Sequence, residues 1–159
     1  MIVVSDTSPL LYLFLVDLIE LLPQLYGQVI VPEAFMQEMT AFGTPSAFRA
    51  WAIKPPSWLA IKPVEIAITA NTEGLDVGEQ AAISLTKSLK ADLLLIDEKL
   101  GRRAAIAEDL SIIGVVGILE EAAKKNLIDI QQAIARLQQT NFRISTKLIE
   151  ALLIRHNSN

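Results

Sequence analysis

Short apolar runs alternate with longer stretches of helical character along most of this chain. Five runs have the length and composition of β-strands, at residues 2–5, 28–31, 59–64, 93–96 and 111–114. The run at 59–64 contains Pro63, which cannot donate to a sheet ladder, so we expect an edge strand there. Because strands and helices alternate, the pattern predicts an α/β domain with a mostly parallel central sheet of four or five strands.

The segments between the apolar runs predict helices. A helix capped by Ser8, with Pro9 as its first residue, is expected to continue to Leu22. Pro32 is expected to open the next helix. Further helices are predicted from residues 75–79 onward, over 98–108, and as two or three helices across 115–155. We therefore expect one domain over residues 1–159, with its last ~40 residues helical.

Residues 43–58 are rich in proline and tryptophan and predict a short helix within an irregular segment. Trp51 and Trp58 could stack on nucleic-acid bases. Such residues more often anchor a loop on the core, and we favour that interpretation. The apolar positions near Ile118 and Leu152 are expected to be core, with a homodimer interface as the alternative.

Carboxylates follow two of the predicted strands. Asp6 comes directly after the first apolar run, and Asp97 comes directly after the run at 93–96. Both should emerge at the carboxyl edge of neighbouring parallel strands, where open α/β folds place their sites. Glu38 and Glu79 lie on predicted helices that can pack beside that edge. Clustered carboxylates repel one another and resist desolvation, so a fold tolerates them mainly around a divalent cation. The pattern therefore indicates metal chemistry.

Composition and charge limit the classes of protein that fit. The chain is 52% hydrophobic, with a mean hydropathy of +0.40, which leaves apolar surface for a partner. A net charge of −4 argues against a nucleic-acid coat protein, although an enzyme that meets nucleic acid through bound cations need not be basic. The absence of cysteine excludes disulfides, thiolate zinc sites and a cysteine nucleophile.

The longest apolar run, Pro9–Val16, is far short of the ~20 residues that span a bilayer. No signal peptide is recognisable either, so we expect a cytoplasmic protein without membrane association.

Four acidic segments occur in a defined order along the chain. They are SDTSPL at 5–10, VPEAFMQE at 31–38, LDVGEQAA at 75–82 and LIDEK at 95–99. Taken together, and over roughly residues 1–150, they resemble the PIN-domain family. The segments at 97–105 and 113–119 resemble more specifically the VapC-like branch of bacterial PIN proteins.

The resemblance implies a three-layer α/β/α, Rossmann-like fold and a Mg²⁺- or Mn²⁺-dependent endoribonuclease that uses metal-activated water. Asp6, Glu38, Glu79 and Asp97 match the metal-binding and catalytic acids of the family. Ser8 matches the hydroxyl residue that braces the first of these acids. The VapC-like branch further implies the toxin of a toxin–antitoxin pair, with an RNA substrate, a small antitoxin protein as partner and a homodimer.

The last predicted strand departs from the family pattern. Many PIN nucleases carry a further acid after this strand, whereas residues 112–117 contain no carboxylate. Either Glu98 partly substitutes, or a second metal ion is held weakly. A non-catalytic PIN-like module that binds nucleic acid or regulates a partner is the alternative function. Unrelated acidic folds fit less well: Ser8 breaks the Asp-x-Asp motif of haloacid-dehalogenase-type phosphatases, and the first strand lacks the paired acids of response-regulator receivers.

The candidate acids also have purely structural interpretations. Asp6 and Asp97 could cap the helices that follow them. Asp76 and Glu79 have the spacing of a capping box, and both roles hold if Asp76 caps while Glu79 faces the cleft. Glu33, on the same predicted helix as Glu38, could be its alternative.

Basic residues are candidates for contact with substrate phosphate. Arg102 and Arg103 follow Asp97 closely in the sequence. For Arg102 we favour a surface pair with Glu98 at i,i+4, and Arg103 stays open. His156 is expected in a polar tail without a catalytic role.

Overall fold

A parallel β-sheet forms the centre of the molecule. The computed structural model describes residues 1–41 and 43–157. The strands in these residues are Val3–Ser5 (β1), Val29–Pro32 (β2), Leu59–Lys62 (β3), Leu93–Leu95 (β4) and Ile112–Ile113 (β5). Their order across the sheet is β3-β2-β1-β4-β5, and every neighbouring pair is parallel. The predicted parallel sheet is thus confirmed, and β3 lies at an edge as Pro63 indicated.

Helices cover both faces of the sheet. In the described part of the chain they are Thr7–Leu15 (α1), Leu21–Tyr26 (α2), Ala34–Glu38 (α3), Ser46–Ile53 (α4), Val77–Ser88 (α5), Lys99–Ala107 (α6), Val115–Lys124 (α7), Ile130–Gln138 (α8) and Thr146–Asn157 (α9). One apolar cluster packs α1, α4, α7 and α8 on one face, and a second packs α5 and α6 on the other. Successive residues of β1 serve the two faces, since Val3 belongs to the first cluster and Val4 to the second. This is the three-layer α/β/α arrangement.

The register of the sheet brings two strand ends together. Val4 of β1 lies opposite Ile30 of β2 and Leu94 of β4. Because β1 and β4 are parallel neighbours, their carboxyl ends emerge at the same edge. The chain segments that follow them, at Asp6 and Asp97, therefore begin side by side.

The first helix differs from its prediction at both ends. It begins at Thr7 with Asp6 at the N-cap position, so Pro9 is its third residue. Proline is tolerated there because N–H groups of the first turn have no intrahelical acceptor. The helix ends at Leu15, since Asp17 adopts a left-handed conformation (φ 63°). The single helix predicted to reach Leu22 is wrong, because α2 forms separately.

Pro32 belongs to a strand rather than opening a helix. It is the last residue of β2 and lies opposite Lys62 of β3. The N–H of the next residue, Glu33, donates to the Lys62 carbonyl at 3.1 Å, so the pairing continues past the proline. The predicted helix start at Pro32 is therefore wrong, and α3 begins two residues later.

The C-terminal helices bury most of the predicted apolar positions. Ile118, Leu119 and Leu152 are fully buried, whereas Leu148 is 38% exposed and is not core. His156 is not in a polar tail, because α9 extends to it and places its Nε2 3.5 Å from a Glu120 carboxylate oxygen. None of the helices in the described residues is both long and apolar enough to cross a lipid bilayer.

The two tryptophans anchor the segment around α4. The ring of Trp51 stacks on Phe48, with 5.7 Å between centroids, and lies 5.9 Å from the ring of Trp58. Phe48 is fully buried, and both tryptophans pack against the same apolar cluster. The interpretation of Trp51 and Trp58 as core anchors is confirmed.

Candidate active site

Asp6 and Asp97 lie beside each other at the carboxyl edge of the sheet. The backbone N–H of Asp6 donates to the carbonyl of Leu95 at 2.9 Å, which extends the β1–β4 pairing by one residue. Asp6 occupies the N-cap position of α1, but its carboxylate makes no side-chain capping bond. The capping interpretation therefore does not account for this residue, whose side chain is nonetheless buried.

Asp97 is held by the start of α7. The backbone N–H of Val115 donates to both of its carboxylate oxygens, at 3.1 and 3.3 Å. A charge-assisted bond to a helix N-terminus is favourable, so it fixes the orientation of the carboxylate. Asp97 thus caps a helix 18 residues later in the chain rather than the one that follows it.

Asp76 and Glu79 divide the two roles of the predicted capping box. Asp76 accepts a hydrogen bond from the Glu79 N–H at 2.7 Å and so caps α5. The Glu79 side chain is only 7% exposed. Its Oε2 has no hydrogen-bond partner among the described residues. A buried carboxylate oxygen without a donor is costly, and no described residue offsets that cost for Glu79 Oε2.

Glu38 joins the cluster at the end of α3. Thr7 donates a side-chain hydrogen bond to it, which partly offsets the effect of burial on its pKa. Glu33 is exposed, whereas Glu38 is half-buried. The structure therefore separates the two glutamates that the sequence left as alternatives, and Glu38 is the one beside the cluster.

Three glycines make room for the carboxylates. A Cβ on Gly78 would overlap Glu38 Oε1, and a Cβ on Gly101 would overlap Glu79 Oε2. A Cβ on Gly114 would come within 2.5 Å of Asp97 Oδ1. With any other residue at these positions, the neighbouring carboxylate would have to shift. The sequence alone did not point to these positions, although each glycine lies near a candidate acid or at the start of a helix.

The environment raises the pKa of Asp6, Glu38, Glu79 and Asp97. Burial is the main cause for Asp6, whose pKa rises from 3.8 to about 7, and the charges of Glu38, Asp76 and Asp97 add to it. Burial likewise raises the pKa of Glu79 to about 8, with Asp76 and Asp6 contributing. The pKa of Asp97 rises to about 6 by burial, against the lowering effects of the Val115 N–H and the Arg102 charge. Perturbed carboxylates that converge at one edge are typical of a functional site.

The donor set fits a hard divalent cation in chemistry. Mg²⁺ and Mn²⁺ prefer oxygen ligands, and these four residues offer only carboxylate oxygens. The partnerless Glu79 Oε2 and the repulsion among the acids are features that a cation would relieve. Within residues 1–41 and 43–157, no three metal-ligating side chains lie close enough together to form a complete site. The carboxylates therefore fit a divalent cation by their oxygen donors, by their burial and by a negative charge that no ion pair within the described residues neutralises.

The supporting residues take different places. Ser8 lines a groove next to Glu38, and no hydrogen bond of its side chain is recorded in the described residues. The hydroxyl that reaches the cluster belongs to its neighbour Thr7. Glu98 is exposed at the N-cap position of α6, and its charge raises the pKa of Asp97.

The two arginines after Asp97 point to different surfaces. Arg102 Nη1 donates to the carbonyl of Ile96 at 3.1 Å, and its charge lowers the pKa of Asp97. The surface pair with Glu98 that the sequence favoured is wrong, because the guanidinium turns towards the end of β4 instead. Arg103 lines a separate cavity with residues 70–75.

The fold places the carboxylates of Asp6 and Asp97 at the carboxyl ends of β1 and β4, where open α/β sheets bind their ligands. The chain belongs to the PIN-domain family: the family model DUF3368, a PIN domain, matches residues 2–158. Comparison with curated proteins and with solved structures gives no match. PIN domains are generally nucleases that use divalent metals, so membership supports a nuclease-type function with a nucleic-acid substrate.

Proposed function

We propose that this protein is a divalent-metal-dependent endoribonuclease that hydrolyses phosphodiester bonds with water. The observation that carries this proposal is the convergence of Asp6, Glu79 and Asp97, each buried or half-buried with a raised pKa, at one edge of the sheet. Asp6, Glu38, Glu79 and Asp97 would hold Mg²⁺ or Mn²⁺. When bound, the cation lowers the pKa of water and stabilises charge on the scissile phosphate.

The remaining groups orient this machinery. Val115 fixes Asp97 from the start of α7, and Asp76 fixes the first turn of α5 so that Glu79 faces the cluster. Arg102 supplies positive charge next to Asp97, where a phosphate would otherwise meet only carboxylates. Orientation by such supporting bonds matters because small displacements of ligands weaken metal sites.

The choice of RNA and the biological role rest on the resemblance to the VapC-like branch. Water as the nucleophile does not require a 2′-hydroxyl, so the chemistry alone fits either RNA or DNA. The segments at 97–105 and 113–119 support the VapC-like assignment. We accordingly propose the toxin of a toxin–antitoxin pair, inhibited by a small antitoxin protein, with a homodimer as the oligomeric form.

The proposal is tested with end-labelled single-stranded RNA and DNA of the same sequence. We expect cleavage of RNA with Mn²⁺ or Mg²⁺ and none in EDTA. Asp97→Asn and Glu79→Gln should each reduce the rate about 100-fold or more, since each removes a charged ligand. Glu33→Gln is the matched control, because Glu33 is exposed on the same side of the fold and should leave the rate unchanged.

Two results would contradict the proposal. Full activity of Asp97→Asn would place the chemistry elsewhere. Mn²⁺ binding without cleavage of either nucleic acid would favour the non-catalytic PIN-like module instead.

A further inference from the structure

A second cavity opens next to Asp97 on the β5 side of the sheet. Its volume is about 410 Å³. It is bounded by the start of α7, by α6 and by the segment that joins α8 to α9. Residues that line it include Asp97, Arg102, Gly117, Phe142, Arg143 and Leu148. Asp97 is therefore reached both from the acidic cluster and from this cavity, which we call the Arg143 groove.

The segment that carries Arg143 is fastened to α1. The hydroxyl of Tyr12 donates to Asn141 Oδ1 at 2.7 Å. The ring of Phe142 meets that of Tyr12 edge to face, with 4.9 Å between centroids. The N–H of Phe142 also donates to Thr140 Oγ1 at 3.1 Å. These contacts hold the backbone on the N-terminal side of Arg143 in place beside the groove.

The charges of nearby acids also act on Tyr12. Burial raises its pKa above 10.0, and the charges of Asp97 and Glu98 raise it further. Tyr12 thus positions the segment 140–143, and Asp97 belongs both to the acidic cluster and to the lining of the groove.

Beside Asp97, the groove is lined by two positively charged side chains, which the acidic cluster lacks. Arg102 and Arg143 both line the groove. Arg143 is exposed, and no hydrogen bond or ion pair of its side chain is recorded among the described residues. A phosphate chain that approaches four carboxylates is repelled, so two guanidinium groups that line the same groove as Asp97 supply the attraction that the cluster lacks.

Leu148 and Phe142 give the groove an apolar wall. Leu148 is 38% exposed, and it lines the groove together with Phe142. An apolar wall beside two guanidinium groups suits a strand whose bases lie on one side and whose phosphates lie on the other. A cavity of this volume has room for part of a single strand.

We propose that the Arg143 groove binds the backbone of single-stranded RNA next to the scissile phosphate, with Arg143 as a positioning residue. This inference rests on the proposed nuclease function and adds the place on the protein where the RNA substrate binds. Arg143 binds a phosphate that is not the reacting one, so its loss weakens substrate binding more than it slows the chemical step.

The test measures binding of a short fluorescent single-stranded RNA by anisotropy, in the full chain with Mg²⁺ present. A Glu79→Gln background slows cleavage enough for the titration to be completed. Arg143→Gln should weaken binding about 3- to 10-fold and lower the slope of log K against log salt by about 0.7, the value for one contact with a single strand. Arg143→Lys, which keeps the charge but loses the planar fork, should recover the salt slope and part of the affinity.

Lys125→Gln is the control for the loss of one positive charge. Lys125 is exposed at the opposite end of α7 from Asp97 and should leave both affinity and salt slope unchanged. Thermal unfolding of each variant shows whether the fold is retained, which we expect because Arg143 is exposed. Duplex RNA of the same sequence should bind more weakly than the single strand.

The outcomes separate this inference from the proposed function. Equal affinities of Arg143→Gln and Lys125→Gln, in a protein that cleaves RNA, would overturn the groove alone. Arg143-dependent binding without cleavage by the protein with intact Glu79 would support the groove and overturn the nuclease. Failure of the protein to bind or cleave RNA at all would overturn both, and equal affinity for duplex would overturn the single-strand assignment.

Discussion

Removing the charge of Asp6 should stabilise the metal-free protein. The Asp6 side chain is only 7% exposed and lies among other acids, and its pKa rises from 3.8 to about 7. The folded protein therefore binds the Asp6 proton more tightly than the unfolded chain does. Asp6→Asn keeps the shape of the side chain and removes its ionisation.

The size of the effect follows from this difference in pKa. Ionising Asp6 in the folded state costs about 4 kcal/mol relative to the unfolded chain once the pH exceeds about 7. At about pH 5, Asp6 is protonated in the folded state but ionised in the unfolded chain. The difference in pKa then lowers the free energy of unfolding by only about 2 kcal/mol relative to low pH. The contribution of Asp6 to the free energy of unfolding is largest below its pKa in the unfolded chain. This contribution is lost as the pH rises to its pKa in the folded protein. The wild type should thus lose about 2–3 kcal/mol between about pH 5 and pH 8 from Asp6 alone.

Urea unfolding in EDTA measures this directly, with Trp51 and Trp58 as fluorescent reporters. Asp6→Asn should be more stable than the wild type at the higher pH, with a weaker dependence on pH. Glu65 is exposed, so Glu65→Gln removes an acidic charge that is not buried. The stability of this variant should depend on pH as that of the wild type does. Equal destabilisation of Asp6→Asn at both pH values would refute the reasoning.

Three further predictions concern the same cluster. Mn²⁺ should raise the melting temperature more at about pH 8 than at about pH 5, because the raised pKa values make protons compete with the metal at the lower pH; an equal rise at both would contradict this. Gly101→Ala should cost about 1–3 kcal/mol of stability and weaken Mn²⁺ binding, because its Cβ would displace Glu79 Oε2 and press on Ile96. An unchanged Mn²⁺ affinity would show that Glu79 is no ligand. Asp76→Ala should cost about 1 kcal/mol in urea unfolding through loss of the α5 cap, and no loss would place that cap elsewhere.

The meeting of Asp6 and Asp97 could be predicted because parallel strands impose it. Two short apolar runs, each followed by an aspartate, become neighbours once β1 and β4 pair in parallel. The same local logic located Asp76 as a cap, since a cap depends on residues only three apart. These features follow from short stretches of sequence and general rules of sheet geometry.

Other features depend on tertiary contacts that no local pattern reveals. The cap that Asp97 provides for α7 joins residues 18 apart, and the bond between Tyr12 and Asn141 joins residues 129 apart. The apolar run around Asp17 resembles a continuous helix, yet a left-handed residue breaks it so that α2 can pack separately. Arg102 had a local partner at the correct spacing, but the buried end of β4 offered its guanidinium a carbonyl and a carboxylate instead.

The most direct test of the metal site is calorimetric titration of Mn²⁺ into the wild type and into Asp97→Ala. Glu33→Gln serves as the control for removal of an acidic charge. The proposed site predicts binding in the wild type and the control, and its loss in Asp97→Ala. Absence of binding to the wild type, or unchanged binding to Asp97→Ala, would contradict the assignment of these carboxylates as metal ligands.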